Sequence, residues 1–250
     1  MKVLIITGGN IDDDFAFSFL KNNIYDEVIA VDGGLAFADR AGIKITHLVG
    51  DFDTIDGAVL EKYIHREDIC VHQFIPEKDY TDTDIAVKLA IRLFSGKEAS
   101  PSEKKAPPEP LPEQVDLLPE QADLLPETEE KVLHILGATG SRMDHVLANL
   151  QMLKNILDAG IDGMIIDKNN QIQMIRGTHH LKMKGIFGRY MSLIPATMDL
   201  SGITLQGFKY PLNRANTHFG ESLCVSNELT AEEGRITIEE GTAWMILSRD

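Results

Sequence analysis

Short hydrophobic runs alternate with helical patterns over the first two thirds of the chain. Between most of the runs lie stretches such as DDFAFSFLKNN and DTDIAVKLAIRLF, in which apolar residues recur at helical spacing. Strands that alternate with helices form βαβ units and a parallel sheet with both faces covered. We therefore predict an α/β domain with an open, mostly parallel sheet over residues 1–167. The predicted strands are KVLIIT, EVIAV, THLVG, ICVHQFI, KVLHILG and GMIID.

The pattern changes after Asp167. The apolar runs become short, several alternate with period two, and Gly, Asn or Pro separates most of them. No amphipathic helix is recognisable in this part of the sequence. Residues 168–250 are therefore predicted to form a smaller antiparallel β-sandwich domain or barrel. Its predicted strands are NQIQMIRG, HHLKMKG, RYMSLIPA, ESLCVSN, GRITIEEG and AWMILS.

A Pro- and Glu-rich segment interrupts the α/β pattern at about residues 97–130. It contains seven of the ten prolines, and LPEQVDL, LPEQADL and LPETEE repeat in it with a period of seven. A heptad usually indicates a coiled coil, but a proline in every repeat removes a backbone donor and clashes with the preceding helical turn. We interpret the segment as a disordered insertion, either a solvated loop or a tail that docks a partner.

Charge and cysteine content limit the class of protein. Ten acids and two lysines lie between Glu98 and Glu130, so this stretch contributes −8 of the formal net charge of −15. An acidic chain does not predict a nucleic-acid surface, which needs clustered Lys and Arg. No apolar run approaches the roughly 18 residues of a membrane span, so we predict no membrane contact. Cys70 and Cys224 lack metal-type spacing and fit a reducing, cytoplasmic setting.

Gly- and Asp-rich motifs follow the predicted strands of the α/β domain. In an open parallel sheet the carboxyl ends of the strands share one edge, and ligands bind in the crevice there. We therefore expect five separate segments to converge on one site. The segments are GGN (8–10), DGG (32–34), GDFD (50–53), EKDYTDTD (77–84) and GATGSRMDH (137–145).

The aspartates in these motifs have two interpretations. Asp is favoured at a helix N-terminus, where it caps free amides and complements the helix dipole, and Asp79 and Asp84 fit that role as well as a metal site. Asp51 and Asp53 are different, because two carboxylates two residues apart at a strand end repel each other unless a cation is bound. For this pair we predict metal binding.

The segment GATGSR resembles a phosphate cradle. Its glycines let backbone amides approach oxygen atoms, the helix that begins near Arg142 offers the positive end of its dipole, and the Arg142 guanidinium adds a charged fork. The segment lacks the Gly-Lys-Ser/Thr ending of a P-loop and is not the dinucleotide fingerprint. Several acids together with a Gly-rich anion site are typical of Mg²⁺-dependent phosphoryl transfer.

Together these motifs resemble the motif set of the thiamine pyrophosphokinase family. DGG, GDFDT, KDYTDTDIA, GATGSRMDH and a late SNE (226–228) occur in the family's order and at similar spacing, over nearly the whole chain except the insertion. The resemblance implies ATP-dependent transfer of a pyrophosphoryl group to the hydroxyethyl oxygen of thiamine, which gives thiamine diphosphate and AMP and requires Mg²⁺. It also implies a homodimer whose two active sites lie between subunits, with the β-sandwich domain contributing to the thiamine site.

The resemblance also implies roles for individual residues. Asp51, Asp53 and Asp82 would hold Mg²⁺ and the phosphates, and Asp144 would belong to the same catalytic acidic centre. Thiamine would contact Ser226 and Asn227, for which a tight turn is the alternative interpretation. The ATP site would comprise Asp32, Gly33, Lys78, Thr81, Gly137, Thr139, Gly140 and Arg142.

The sequence leaves two other functions open. A related diphosphotransferase would act on another alcohol, such as a hydroxymethylpterin, with the same acids and a different acceptor pocket. A non-catalytic nucleotide-binding sensor would keep the sheet-edge site, although a binder has no need of so many repelling carboxylates. Ser141 stands where the family usually has a further glycine, so either the backbone stays farther from phosphate or the hydroxyl replaces that contact.

Overall fold

The computed structural model describes residues 1–74, 80–96 and 130–250. These residues form two compact units, and each unit is assembled from two separate stretches of the chain. The first unit comprises Met1–Gly8 and Tyr25–Val132, and the second comprises Gly9–Ile24 and Leu133–Asp250. The chain therefore passes from the first unit to the second twice.

The described residues form helices and strands with the following bounds. The helices are α1 (Asp13–Lys21), α2 (Gly34–Ala41), α3 (Gly57–Glu61), α4 (Asp82–Phe94) and α5 (Met143–Asp158). The strands are β1 (Lys2–Ile6), β2 (Glu27–Val31), β3 (His47–Gly50), β4 (Cys70–Gln73), β5 (Val132–Leu136), β6 (Asp162–Ile166), β7 (Asn170–Lys182), β8 (Tyr190–Pro195), β9 (Asp199–Gln206), β10 (Leu212–His218), β11 (Asn227–Glu228) and β12 (Glu233–Ser248).

The first unit is built on a parallel sheet. Its strands lie in the order β1-β2-β3-β4, and each neighbouring pair is parallel. Leu4, Ile5, Ile29 and Leu48 are fully buried in this sheet. Continuous apolar runs of this kind are expected where helices cover a parallel sheet, and α2 and α4 contact its strands. The carboxyl ends of β2 and β3 lead directly into the DGG and GDFD motifs.

The second unit contains the antiparallel strands. Strand β7 pairs with β6 and β12, β9 pairs with β12 and β10, and β8 pairs with β12 and β11, all antiparallel. Buried side chains from these strands form its core, and they include Ile175, Leu193, Ile203, Ile236 and Met245. Helix α5 packs against β6 and β7 in the same unit.

Strand β12 pairs with three strands and has an irregularity in the middle. Its first half pairs with β9 and its second half with β8, while β7 follows it along both halves with a shift in register between Ile238 and Ala243. Gly241 lies in this interval with a φ of 96°. A Cβ at that position would lie 2.4 Å from the Asp199 carbonyl oxygen, so the irregularity requires glycine there.

The predicted fold class is confirmed. A mostly parallel α/β part precedes strands that pair antiparallel, and the described residues after Asp167 form no helix. The boundary between residues 167 and 168 stays a prediction. Of the predicted insertion, residues 97–129 lie outside the described residues. In the parts of the chain that the structure describes, every helix is too short or too polar to cross a membrane.

Candidate active site

Three aspartates from separate segments meet in the first unit and are called the acidic cluster below. Asp32 directly follows β2, Asp51 directly follows β3, and Asp82 is the first residue of α4. The Asp32 carboxyl is a hydrogen-bond partner of Asp82 and lies close enough to Asp51 for their charges to interact. The structure thus brings together three of the residues that the sequence motifs single out.

The backbone around Asp32 is shaped to admit its carboxyl group. Asp32 has a φ of 41° and Phe52 a φ of 67°, in the left-handed region that non-glycine residues rarely adopt. The Phe52 N–H donates a hydrogen bond to Asp32 Oδ1 at 3.3 Å. Gly50 leaves room for this oxygen, since a Cβ at Gly50 would lie 1.8 Å from it. Gly33, next to Asp32, is the N-cap residue of α2. Such local strain is typical of functional sites.

Burial and neighbouring charge act in the same direction on Asp32. The pKa of its carboxyl group is raised from 3.8 to about 7, first by burial and then by the negative charges of Asp82 and Asp51, against the opposing effect of the Phe52 N–H. Above neutral pH the acidic cluster therefore holds repelling negative charges at close range. Such an arrangement favours the binding of a cation.

The acidic cluster fits Mg²⁺ as a partial coordination site. Among the described residues, no three His, Cys, Asp or Glu side chains are arranged to hold a metal ion by themselves. Mg²⁺ commonly binds through only one or two carboxylates and completes its shell with water and substrate phosphates. The repulsion around Asp32 is what a divalent cation would relieve. Asp53 is exposed, and its N–H donates to Asp51 Oδ1 at 3.1 Å, so its own role as a ligand stays a prediction.

The start of α4 combines helix capping with charge. Thr81 is the N-cap residue, and its hydroxyl accepts a hydrogen bond from the Asp84 N–H at 3.2 Å. The Asp84 carboxylate lies 2.6 Å from Lys88 Nζ, one turn further along the helix. This ion pair supports the helix-start interpretation of Asp84. Lys78 and Asp79 lie outside the described residues.

The glycine-rich segments of the second unit are joined through their backbones. The Gly9 N–H donates to the Gly137 carbonyl at 2.9 Å, and the Asn10 N–H donates to the Thr139 carbonyl at 2.7 Å. A Cβ at Gly9 would lie 2.1 Å from the Gly137 oxygen, and one at Gly140 would lie 3.5 Å from the Asn10 nitrogen. The absence of a side chain at Gly9 is therefore what lets the GGN and GATG segments form one paired loop.

A buried asparagine that the sequence analysis did not select holds the same loop. Asn149 lies in α5, and its Nδ2 donates to the Ala138 carbonyl at 2.7 Å. Its spacing to the buried Met152 and Leu153 places this amide on the apolar stripe of the helix. A buried polar side chain normally has a hydrogen-bond partner, so a lone Asn on such a stripe is the signal that identifies it.

Arg142 and Asp144 bind each other at the start of α5. Arg142 Nη2 lies 2.6 Å from Asp144 Oδ2, and Nε donates to Oδ1 at 3.3 Å. The guanidinium lowers the pKa of the Asp144 carboxyl to about 2. Their side chains are 69% and 64% exposed, so solvent screens the pair and a competing anion has access to Arg142. The predicted roles of both residues stay predictions.

Ser226 and Asn227 have different environments in the second unit. Ser226 is exposed with a φ of 60°, and its N–H donates to Ser192 Oγ at 3.0 Å. Asn227 is 3% exposed, and its amide exchanges two hydrogen bonds with the Tyr210 backbone, at 3.0 and 2.8 Å. Its Oδ1 also accepts from the Glu228 N–H at 2.9 Å. Asn227 therefore fixes the Tyr210 segment, and Ser226 has the freer side chain.

The predicted residues thus fall into three groups. The acidic cluster belongs to the first unit, while the paired glycine loop with α5 and the Ser226–Asn227 turn belong to the second. The convergence of all five segments on one site stays a prediction.

Two family models match the chain and cover different parts of it. The model described as thiamin pyrophosphokinase, catalytic domain, matches residues 20–165. The model described as thiamin pyrophosphokinase, vitamin B1 binding domain, matches residues 175–243. The acidic cluster and the GATG segment lie within the first match, and Ser226 and Asn227 lie within the second.

Individual relatives agree with these matches. The thiamine pyrophosphokinase of Bacillus subtilis (strain 168) is 32% identical over 222 residues, which cover 89% of this chain and 87% of that protein. The crystal structure of thiamine pyrophosphokinase from Bacillus subtilis superposes with a TM-score of 0.76 at 29% identity and covers all of both chains. A crystal structure from Geobacillus thermodenitrificans superposes with a TM-score of 0.74 at 26% identity, over 100% of this chain and 98% of that one. The chain belongs to the thiamine pyrophosphokinase family.

Proposed function

We propose that the protein transfers a pyrophosphoryl group from ATP to the hydroxyethyl oxygen of thiamine, with Mg²⁺, and releases AMP and thiamine diphosphate. The observation that carries this proposal is the acidic cluster, which lies in the part of the chain that matches the family's catalytic model. The match to a vitamin B1 binding domain in the second unit supports thiamine as the acceptor.

Asp51 and Asp82 are proposed to hold Mg²⁺, with Asp53 as a further ligand. Mg²⁺ held by these carboxylates would supply positive charge to neutralise the charge that develops on the phosphates. The thiamine hydroxyl is a weak nucleophile, and one ionised carboxylate of the acidic cluster is proposed to accept its proton. Asp32 is a positioned member of this cluster, because the Phe52 N–H and the space at Gly50 fix its carboxyl group.

The phosphates of ATP are proposed to bind at the start of α5 and along the paired glycine loop. Arg142, the N-cap residue of α5, makes no side-chain capping hydrogen bond, which leaves N–H groups of the first turn for phosphate oxygens. Arg142 and Lys78 would add positive charge. Arg142 reaches phosphate by exchanging its exposed partner, Asp144, for the substrate.

The acceptor is proposed to bind at the Ser226–Asn227 turn. The exposed Ser226 hydroxyl is suited to direct contact, whereas Asn227 acts by holding the Tyr210 backbone. We also propose that the protein is a homodimer, as the family resemblance implies. Light scattering on the purified chain should then give twice the monomer mass of 27.7 kDa.

The decisive experiment is a product analysis. The pure protein is incubated with ATP, Mg²⁺ and thiamine, and AMP and thiamine diphosphate should appear in equal amounts. ADP as the nucleotide product would refute the proposed transfer, and turnover only with a hydroxymethylpterin would refute the acceptor. Absence of turnover with every acceptor, combined with nucleotide binding, would favour a sensor.

Two charge-matched variants connect the activity to the acidic cluster. Asp51→Asn should lower turnover by about 100-fold or more, because it removes a carboxylate from the reaction centre. Glu67→Gln removes the same charge from an exposed position in the first unit and should leave turnover unchanged. Equal activities in the two variants would contradict the role of Asp51.

A further inference from the structure

Two buried threonine hydroxyls connect the start of α4 to the end of β1. Thr7 Oγ1 and Thr83 Oγ1 lie 3.0 Å apart, although the residues are 76 positions apart in the chain. Thr7 directly follows β1, and Thr83 is the second residue of α4. They are 7% and 8% exposed. This contact therefore joins the end of β1 to the helix turn that carries Asp82.

The hydrogen bond between the two hydroxyls requires a particular geometry, whereas the apolar packing of α4 does not. Ala86, Val87 and Ala90 are buried on α4 and hold the body of the helix by apolar contact. A hydroxyl that is buried without a partner is unfavourable, so the hydrogen bond between the two threonines offsets part of the cost of burying them. The bond therefore ties the first turn of α4 to the residue that follows β1.

The first turn of α4 is subject to electrostatic repulsion between carboxylates. Asp82, the neighbour of Thr83, is a hydrogen-bond partner of Asp32, so the two carboxyl groups are in contact. When both carboxylates are ionised, they push the start of α4 away from β2. A contact that resists this movement has to act at the same turn, and Thr83 is the adjacent residue.

We propose that Thr7 and Thr83 are positioning residues of the acidic cluster, whose hydrogen bond holds Asp82 next to Asp32. The contact is local to the first unit and needs no ligand. Its functional meaning rests on the proposed function, in which Asp82 holds the Mg²⁺ that accompanies ATP.

A double-mutant cycle on stability tests the positioning. Asp32→Asn, Thr7→Val and the double variant are compared with the parent protein by thermal unfolding at pH 8 without metal or nucleotide. Asp32→Asn alone should have a higher melting temperature than the parent protein, because it removes the repulsion between the carboxylates of Asp32 and Asp82. In the Thr7→Val background the rise should be less than half as large, since Asp82 has already moved away. Equal rises in both backgrounds would mean that the threonines do not control this distance, and the proposal would be wrong.

A binding measurement provides the second readout. Mn²⁺ binding in the presence of a non-hydrolysable ATP analogue is followed by electron paramagnetic resonance. Thr7→Val should weaken Mn²⁺ binding roughly fivefold or more, and Thr7→Ser, which keeps the hydroxyl, should restore it. Thr7→Val with Thr83→Val removes both polar groups and guards against misfolding from an unpaired hydroxyl; it should bind as weakly as Thr7→Val alone.

The two experiments fail in different ways. If the parent protein binds no Mn²⁺ with the nucleotide analogue, the proposed function is wrong, while the stability cycle still decides whether the threonines position Asp82. If the parent binds Mn²⁺ and Thr7→Val binds it equally well, the positioning proposal is wrong and the proposed function stands.

Discussion

Replacement of Asp32 by Asn should make the protein more stable and inactive. Asn has nearly the same shape, tolerates the left-handed backbone at this position, and can still accept the Phe52 N–H bond. Its amide can also donate to the Asp82 carboxylate, so a repulsion becomes an attraction. A site that weakens the fold and is kept for catalysis has this signature.

The magnitude follows from the pKa of Asp32, which is raised from 3.8 to about 7. One pKa unit corresponds to about 1.4 kcal/mol, so the shift would lower the free energy of unfolding by about 4 kcal/mol if the side chain were fully buried. Because the side chain is only partly buried, solvent screening reduces this to about 2 kcal/mol at pH 8. For a chain of this size, that free energy corresponds to a rise in melting temperature of about 4–8 °C.

The pH dependence has a definite sign. A carboxyl whose pKa is raised in the folded state contributes stability that is fully present below pH 3.8 and is lost as the pH rises through about 7. As the pH rises, the parent protein loses this contribution to its stability, whereas Asp32→Asn has no carboxyl at this position and loses nothing. The difference in unfolding free energy between the two should therefore be small near pH 4, grow with pH, and level off above pH 7.

Urea unfolding at pH 5 and pH 8, without metal or nucleotide, measures this difference. Glu67→Gln is the control, because it removes an equal charge from an exposed position of the first unit. If Asp32→Asn were no more stable than the parent at pH 8, or if the difference were the same at both pH values, the electrostatic explanation would be wrong. Turnover in the proposed assay should be lost in Asp32→Asn at either pH.

Three further predictions concern other residues. Gly50→Ala should destabilise the fold by about 1–3 kcal/mol in urea unfolding, because its Cβ would meet a carboxylate oxygen, whereas Gly57→Ala, with open space at Cβ, should not. Burial lowers the pKa of His47, so stability should fall as the pH drops through about 6.5, and His47→Gln should flatten that slope in thermal melts. Asn149→Ala should cost about 1–3 kcal/mol and raise the KM for ATP, while the exposed Asn155→Ala on the same helix should change neither; equal kinetics would disprove the loop-holding role.

The parallel sheet could be predicted because its strands bury both faces. Strands such as β1 are continuous apolar runs, and this signal is local to each segment. Strand β10 was missed because LNRANTH has no apolar alternation, and it becomes a strand only by pairing with β9. Helix α3 was missed because five residues with no buried side chain carry no periodic signal.

The sequence predicted which residues of the candidate site lie at strand ends. It did not predict the distances between them. The motifs indicate that Asp32 and Asp82 lie near one sheet edge, but their direct contact depends on how α4 is docked. The same holds for Asn227, where the sequence offers either a ligand contact or a turn. The structure shows a side chain that is satisfied by the backbone of a segment 17 residues earlier. Long-range hydrogen bonds of this kind leave no local trace in the sequence.

The position of β12 also has a consequence for biosynthesis. Three strands, β7, β8 and β9, have their edges completed by residues 233–248, which the ribosome adds after all three. Until then the nascent chain carries unpaired strand edges, which are the surfaces that chaperones protect and that aggregation exploits. A polypeptide released before β12 is synthesised would therefore lack the strand with which β7, β8 and β9 pair.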